Sequence, residues 1–334
     1  MRTHRSHTGP ICDREGEVSR RALLKGGVRA SNRLLCSTTA AGIIAAVVSL
    51  AAIPAAGQPN GVSVTRFGER AAGCPMEPAK FHPCAMAKIK TFNPPRTPDG
   101  HPDMQGSWKR TRTAQDIEDH PFDGVEVAAE TSMVVEPADG KVPYQPWAAA
   151  QKKENLEKYI SPGALCFVAG VPRFTYFEDT YIVQRPGYVT FFQEIHSHPY
   201  RFIPTDGRPH IGKDIKLWDG DSRGRWEGNT LVIDVTNLTD RTWFDHSGNF
   251  HSDEMHVVER YTMVDINTIH WEATIEDPKV FTRPWKMAMP LKRDQDKTIE
   301  FMEEACWEES PDWQHLTSAG YKLYPGVRWP KPTK

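Results

Sequence analysis

The sequence carries no short catalytic signature. It has no Gly-x-Ser-x-Gly elbow, no Ser-x-x-Lys, no Walker loop, no dinucleotide-binding glycine turn and no His-Glu-x-x-His pair. Those absences set aside the familiar hydrolase, kinase and dehydrogenase families. They leave open enzymes that lack short motifs. A basic surplus is missing too: 41 Lys and Arg stand against 43 Asp and Glu, for a net charge of −2. The balance is uneven, because residues 1–57 hold eight basic and three acidic residues and the remainder holds 33 and 40. A body of net charge −7 lacks the basic face that displaces counterions from a phosphate backbone, so nucleic acid is not an expected partner. Repeats and low-complexity tracts are absent as well. What is present is ordinary globular composition, 39% hydrophobic and 25% charged, which excludes wholesale disorder. Twenty-seven prolines and ten tryptophans argue for a β-rich, loop-rich body over a helical bundle.

Only residues 34–56 form an apolar run long enough to span a bilayer. The run follows an Arg-rich start and ends in Ala55-Ala56-Gly57, the layout of a secretory signal. Ser19-Arg20-Arg21-Ala22-Leu23-Leu24-Lys25 matches the twin-arginine pattern, although residues 26–33 separate it from the apolar run. An export signal is therefore expected over 1–57, by either route, with a periplasmic or secreted body that keeps no membrane segment after cleavage. Cys36 precedes the run instead of closing it, which argues against a lipoprotein anchor.

Four cysteines remain beyond the leader, and in an exported chain they read as disulfides with three connectivities to choose from. Cys74 and Cys84, within CPMEPAKFHPC, suit a local loop closure, which leaves Cys166 with Cys306.

Residues 58–103 are rich in Pro and Gly and read as an extended N-terminal arm, with one β domain over 104–334. A strand opens at Gly106-Ser107-Trp108, a triplet that resembles the first strand of lipocalin-like barrels. Residues 146–160 read as a single helix, started by Pro146 and stopped by Pro162-Gly163. Later come TYIVQ, GYVTFFQEIHSH, TLVIDVTNL, EMHVVERYTMV, TIHWEATIE, WKMAMPLK and KTIEFMEEACWE, strands separated by turns. Strands joined without helices imply an antiparallel meander closing into a barrel or sandwich. The expected form is a lipocalin/calycin-like barrel with a ligand cavity.

One hairpin is legible to its register. Met255, Val257, Tyr261 and Met263 share a face with Ile269, Trp271, Ala273 and Ile275. Placing Met263 opposite Ile269 sets Arg260 against Glu272 and His256 against Glu276, two complementary pairs. Glu259 is the exception on the apolar face, opposite Ala273. A carboxylate there loses hydration, which fits either a general acid or base or a lumen glutamate bridged to an arginine.

Two histidines, His196 and His198, alternate on a strand before Arg201, and a His-x-His pair of this kind can hold a metal. No third ligand is evident, so metal is a secondary alternative and no cofactor is expected. His198 and Arg201 are candidates to orient a substrate or stabilise an oxyanion, and His251 is a second acid/base candidate. Tyr261, Trp271, Phe192 and Trp285, with His210 in a turn near the mouth, are the candidate ligand contacts. The run Trp218-Asp219-Gly220-Asp221-Ser222-Arg223 lacks EF-hand spacing and reads as a Gly-rich hairpin with Asp221 and Arg223 paired. The loop 245–253 reads as a lid or a solvated turn.

Several segments resemble a large family of uncharacterised exported bacterial proteins, abundant in acidobacteria and some proteobacteria. They are Pro102-Asp103-Met104-Gln105-Gly106-Ser107-Trp108, Pro143-Tyr144-Gln145-Pro146-Trp147, Gly170-Val171-Pro172-Arg173, the stretch 203–210, GDSRGRWEGNTLVIDVTN, FHSDEMHVVERYT and IEDPKVFTRPWKMAMPLKR. The resemblance covers about 102–310 and implies export, a single β-rich domain and the Cys166–Cys306 bridge. It names no reaction, and the arm bearing Cys74 and Cys84 departs from it. The expected function is cofactor-independent acid/base chemistry of the lyase, hydratase or isomerase type on a small, partly apolar or aromatic molecule, by a monomer or weak oligomer. The alternatives are a non-catalytic carrier for such a molecule and a metal enzyme built on His196 and His198.

Overall fold

The computed structural model describes residues 70–112, 115–118, 132–194, 199–296, 298, 300, 302, 306 and 317–327. Among the described residues nine strands run around its wall, and a short tenth, Val134–Glu136, pairs beside the last of them. The nine are β1 (Gly106–Arg110), β2 (Thr180–Arg185), β3 (Tyr188–Phe192), β4 (Tyr200–Pro204), β5 (Asp221–Glu227), β6 (Thr230–Thr236), β7 (His256–Asp265), β8 (Thr268–Glu276) and β9 (Trp285–Arg293). Each pairs antiparallel with its sequence neighbour from β1 to β4 and again from β5 to β9. The last strand returns to the first, with Leu291 opposite Arg110 and Arg293 opposite Trp108. This is a nearly closed antiparallel barrel. Among the described residues no ladder joins β4 to β5. The two strands nevertheless approach closely: a Cβ added to Gly224 would lie 2.8 Å from Thr205 Cγ2 and 2.9 Å from Ile203 Cγ2. Closure is thus by backbone at one joint and by side chains at the other.

The β7–β8 hairpin has the register that its alternation dictates. Met263 faces Ile269, Glu259 faces Ala273, and His256 faces Glu276. Arg260 does stand opposite Glu272, but its guanidinium bonds Glu227 at 2.9 Å. The inward set, including Leu231, Ile233, Val257, Tyr261, Trp271, Ile275, Met287 and Met289, is at most 1% exposed. These side chains face the lumen and belong to one buried hydrophobic cluster. Trp108 closes the β1–β9 joint: its indole donates to Met104 O at 2.7 Å, and the Arg293 guanidinium lies 4.2 Å from its ring.

Three segments depart from the sequence reading. Strands β4 and β5 stand where no strand was expected, and the Gly-rich run from Asp221 is itself strand β5, turning only at Gly228. The arm is not wholly extended, because Pro78–Lys88 forms helix α1 with Phe81 and Ala85 buried. Pro83 lies inside α1 and reads as a breaker, while Pro78 suits the first turn and Cys74–Cys84 ties the helix to the preceding chain. Helix α2 (Pro146–Lys158) agrees with expectation, and a short turn of helix, α3 (Phe174–Phe177), buries Phe174, Thr175 and Tyr176. Cys166 bonds Cys306, the second disulfide. The apolar run 34–56 and most of the expected strand 297–308 lie outside the described residues. Among those described, no helix is long and apolar enough to cross a membrane.

Candidate functional site

Alternation along β7 turns Glu259 into the lumen, where it is fully buried. Its Oε1 accepts from Trp271 Nε1 at 3.1 Å and is approached by the Tyr261 hydroxyl at 3.1 Å and Thr175 Oγ1 at 3.0 Å. Those two hydroxyls are also 2.7 Å apart, so two protons serve three contacts. Its Oε2 accepts from Arg201 Nη2 at 2.6 Å. Burial of an ion pair is tolerated only when hydrogen bonds satisfy both partners, and Glu259 meets that condition.

Arg201 does not. It comes from β4, opposite Phe191 in the register, and is 3% exposed. Nη2 also donates to Ser222 Oγ of β5 at 3.1 Å, which spans the unladdered joint. Phe174 and Phe191 lie 5.4 and 5.8 Å from the guanidinium carbon. Nε and Nη1 are buried and have no hydrogen-bond partner among the described residues. Burial lowers the Arg201 pKa, but Glu259 and then Tyr261 more than offset it, so the guanidinium stays charged. Burial, followed by Glu259, holds Tyr261 well above its ordinary value, so it is a neutral donor. Nearby Asp219 accepts from Gly170 N–H at 3.1 Å, and burial lifts it to about 6 against the pull of Arg201.

The structure therefore brings Glu259, Arg201, Tyr261 and Trp271 together. His198, with His196, lies outside the described residues. His251 is elsewhere and structural in its bonding: Nδ1–H donates to Ser252 O at 2.9 Å, which leaves Nε2 to accept from Thr242 Oγ1 at 2.8 Å. Burial lowers its pKa, consistent with that neutral tautomer. Trp285 packs on Phe244 and Phe281 at 5.4 and 5.5 Å. Phe192 is 36% exposed on the outer wall, where its register partners are Tyr181 and Tyr200. His210 is also outside, bridging Asp221 at 2.7 Å and Asp234 at 3.0 Å.

The loop 245–253 is packed inward and is not a solvated turn. Asp245, Asn249, Phe250 and Ser252 are fully buried, and Asp245 accepts from the N–H groups of Ile117, Ser247 and Asn249 at 2.9–3.2 Å. Burial and then Asp116 lift the Asp245 carboxyl to about 7 against those bonds. Arg173 donates to Asp245 O at 3.1 Å and to His246 Nε2 at 2.7 Å, and burial followed by Arg173 holds His246 at about 3. Ser252 joins this loop to Asp277, whose carboxylate takes its N–H at 2.6 Å and its hydroxyl at 2.9 Å.

Sequence reasoning missed two members of the site, Thr175 and Ser222. One lies in the four-residue α3 and the other in a strand without alternation, so periodicity offered no signal for either. Among the described residues one cluster has donors spaced for a metal, His82, His270 and Glu272, and it lies away from this site.

No family model matches the chain, and no curated protein matches it. Among solved structures it is similar to a crystal structure of a mutant of fluorescent protein UnaG, at 10% identity and a TM-score of 0.22, over 35% of this chain and 72% of that one. The barrel assignment rests on the strand ladder itself.

Proposed function

We propose that the chain is a non-catalytic binding protein for a small, neutral, partly apolar molecule bearing a carbonyl-type oxygen. The observation that carries this is Arg201: two buried guanidinium nitrogens have no acceptor among the described residues, and an unmet buried donor costs about 1–3 kcal/mol. A ligand oxygen would satisfy them. The charge of Arg201 is already matched by Glu259, and Asp219 adds negative potential, so a neutral acceptor suits the site better than an anion. Phe174 and Phe191 supply the apolar flank. Access runs through the β4–β5 joint, which the ligand parts without breaking a backbone ladder. Two disulfides fit an oxidising, exported compartment.

The rival is a lyase, hydratase or isomerase with Glu259 as the proton-transfer carboxylate. It requires Glu259 to shed donors worth about 1.5–3 kcal/mol each before it accepts a proton. One experiment separates the two. Trp271 fluorescence is titrated with an aromatic ketone, the matching carboxylate and the matching hydrocarbon. The binding reading expects saturable quenching by the ketone, at least about tenfold weaker binding of the other two, and no conversion of the ketone. The double variant Arg201→Met/Glu259→Gln, which removes both charges together, should lose the preference. Equal binding of ketone and hydrocarbon overturns the proposal. So does conversion of the ketone that falls about 10²-fold or more in Glu259→Gln, which is the mark of acid/base catalysis.

A further inference from the structure

The outer wall of β8 carries a second polar arrangement, independent of the lumen. His270 and Glu272 alternate on one face of that strand and are 2% and 8% exposed. Helix α1 lies over them and adds His82. His82 Nδ1 is 3.0 Å from His270 Nε2 and 3.6 Å from Glu272 Oε2, and all three donor atoms lie within 4.8 Å of one another. Ligands about 2.05 Å from a tetrahedral zinc ion are separated by about 3.3 Å, a value that the two shorter distances bracket. The third separation, between His270 and Glu272, is at most 4.8 Å.

The surroundings favour a cation. Arg260, across from Glu272 on β7, is drawn to Glu227 at 2.9 Å, and Lys286, across from Thr274 on β9, is drawn to Glu136 at 3.0 Å. The one ion-pair partner of Glu272 among the described residues is the imidazole of His82. Two imidazole nitrogens at 3.0 Å share at most one proton, so at least one lone pair points into the cluster. His82 is held in place from both sides. Phe81 is fully buried and packs on His270 at 5.7 Å, and Cys84 is bonded to Cys74.

We propose that His82, His270 and Glu272 form a binding site for a late first-row divalent cation, zinc being the type, which pins the N-terminal arm to the barrel wall. Two imidazoles and one carboxylate are a borderline donor set that selects such ions over calcium or magnesium. His82 is 24% exposed, which leaves a solvent-side position for water as the fourth ligand.

The test uses the full chain purified without a polyhistidine tag, stripped with EDTA and titrated with zinc sulfate by calorimetry. Cobalt chloride titration is followed in parallel by visible absorption. One equivalent of zinc is expected, with tetrahedral-type cobalt bands and a rise in Tm on adding zinc. His82→Ala and Glu272→Gln should each weaken zinc binding at least about tenfold and remove the Tm rise. Glu272 is on the outer wall and His82 on helix α1 above it, and far-UV circular dichroism establishes that each variant is folded. If either variant fails to fold, the cobalt spectrum of the unaltered chain decides: bands of octahedral type, without imidazole ligation, overturn the site. The double variant His196→Ala/His198→Ala should bind zinc as the unaltered chain does. Absence of saturation at millimolar zinc, or binding unchanged in His82→Ala and Glu272→Gln, also overturns the proposal.

Discussion

The barrel has two joints where its two arcs meet, and they are held by different physics. At β1–β9, backbone pairs from Leu291–Arg110 to Arg293–Trp108 close the wall, with the Arg293 guanidinium stacked on Trp108. At β4–β5 the described residues show no ladder, and Arg201 reaches from one strand to Ser222 on the next and to Glu259 across the lumen. Backbone bonds leave no buried charge behind when a side chain changes. The side-chain joint does, because its strength is a pairing of two desolvated ions. The first joint should therefore tolerate substitution, whereas the second should fail when either partner is removed and recover when both are.

That contrast gives the largest expected effect. Arg201→Ala leaves Glu259 buried and uncompensated and should cost about 3–5 kcal/mol in urea unfolding. Glu259→Ala should cost a similar amount. The double variant Arg201→Met/Glu259→Gln should return most of the loss, because removing both charges together leaves no buried ion unpaired. Arg293→Ala at the other joint should cost no more than about 2 kcal/mol, the loss of a stacked cation and its carbonyl contacts. Equal losses at both joints, or a double variant no better than the singles, would break the comparison.

The joints also differ in how far the amino-acid order reveals them. The β7–β8 hairpin was legible because two apolar alternations and two charge pairs agree on one register. Neither seam strand has that redundancy. β4 is five residues bounded by Pro199 and ending in Pro204, and β5 begins Asp-Ser-Arg-Gly-Arg, a run that looks like a turn. Their strand character comes from neighbours, β3 for one and β6 for the other. Glu259 was visible as the one carboxylate on an apolar face, and Tyr261 and Trp271 share that face. Thr175 and Ser222 reach it through tertiary packing and left no local trace. Helix α1 was hidden by Pro83, which lowers helix propensity without preventing a short, disulfide-tied helix packed on the wall.

A smaller effect sharpens the same contrast. Gly224 is a point of close approach between β5 and β4, and a methyl group there meets Ile203 and Thr205 inside 3.0 Å. Gly224→Ala should force β4 outward at a cost of about 1–3 kcal/mol, the usual penalty of overpacking. Native-state hydrogen exchange should then quicken in β4 and β5 while β7–β9 keep their protection. Uniform quickening around the wall would show that the seam is no weaker than the ladders, and the access route proposed for the ligand would lose its support.

The smallest expected effect comes from the outer wall beside the seam, where Asp234 of β6 receives His256 of β7 at 3.2 Å and His210 at 3.0 Å. The hydrogen bond to Asp234 raises His256 above its ordinary 6.5, and the bond from His256 lowers Asp234 below its ordinary 3.8. Raising a histidine adds stability that is complete below pH 6.5 and is lost as pH climbs through its folded value. Lowering a carboxylate adds stability that is complete above pH 3.8 and is lost as pH falls through its folded value. Both contributions coexist between those limits. Because the two side chains are 35% and 30% exposed, solvent screening holds the pair to a few tenths of a kcal/mol. Asp234→Asn should therefore lower the urea midpoint slightly at pH 5 and by less at pH 8. The opposite order would mean that His256 does not carry its charge on Asp234, and that this laddered region, unlike the seam, owes nothing measurable to an ion pair.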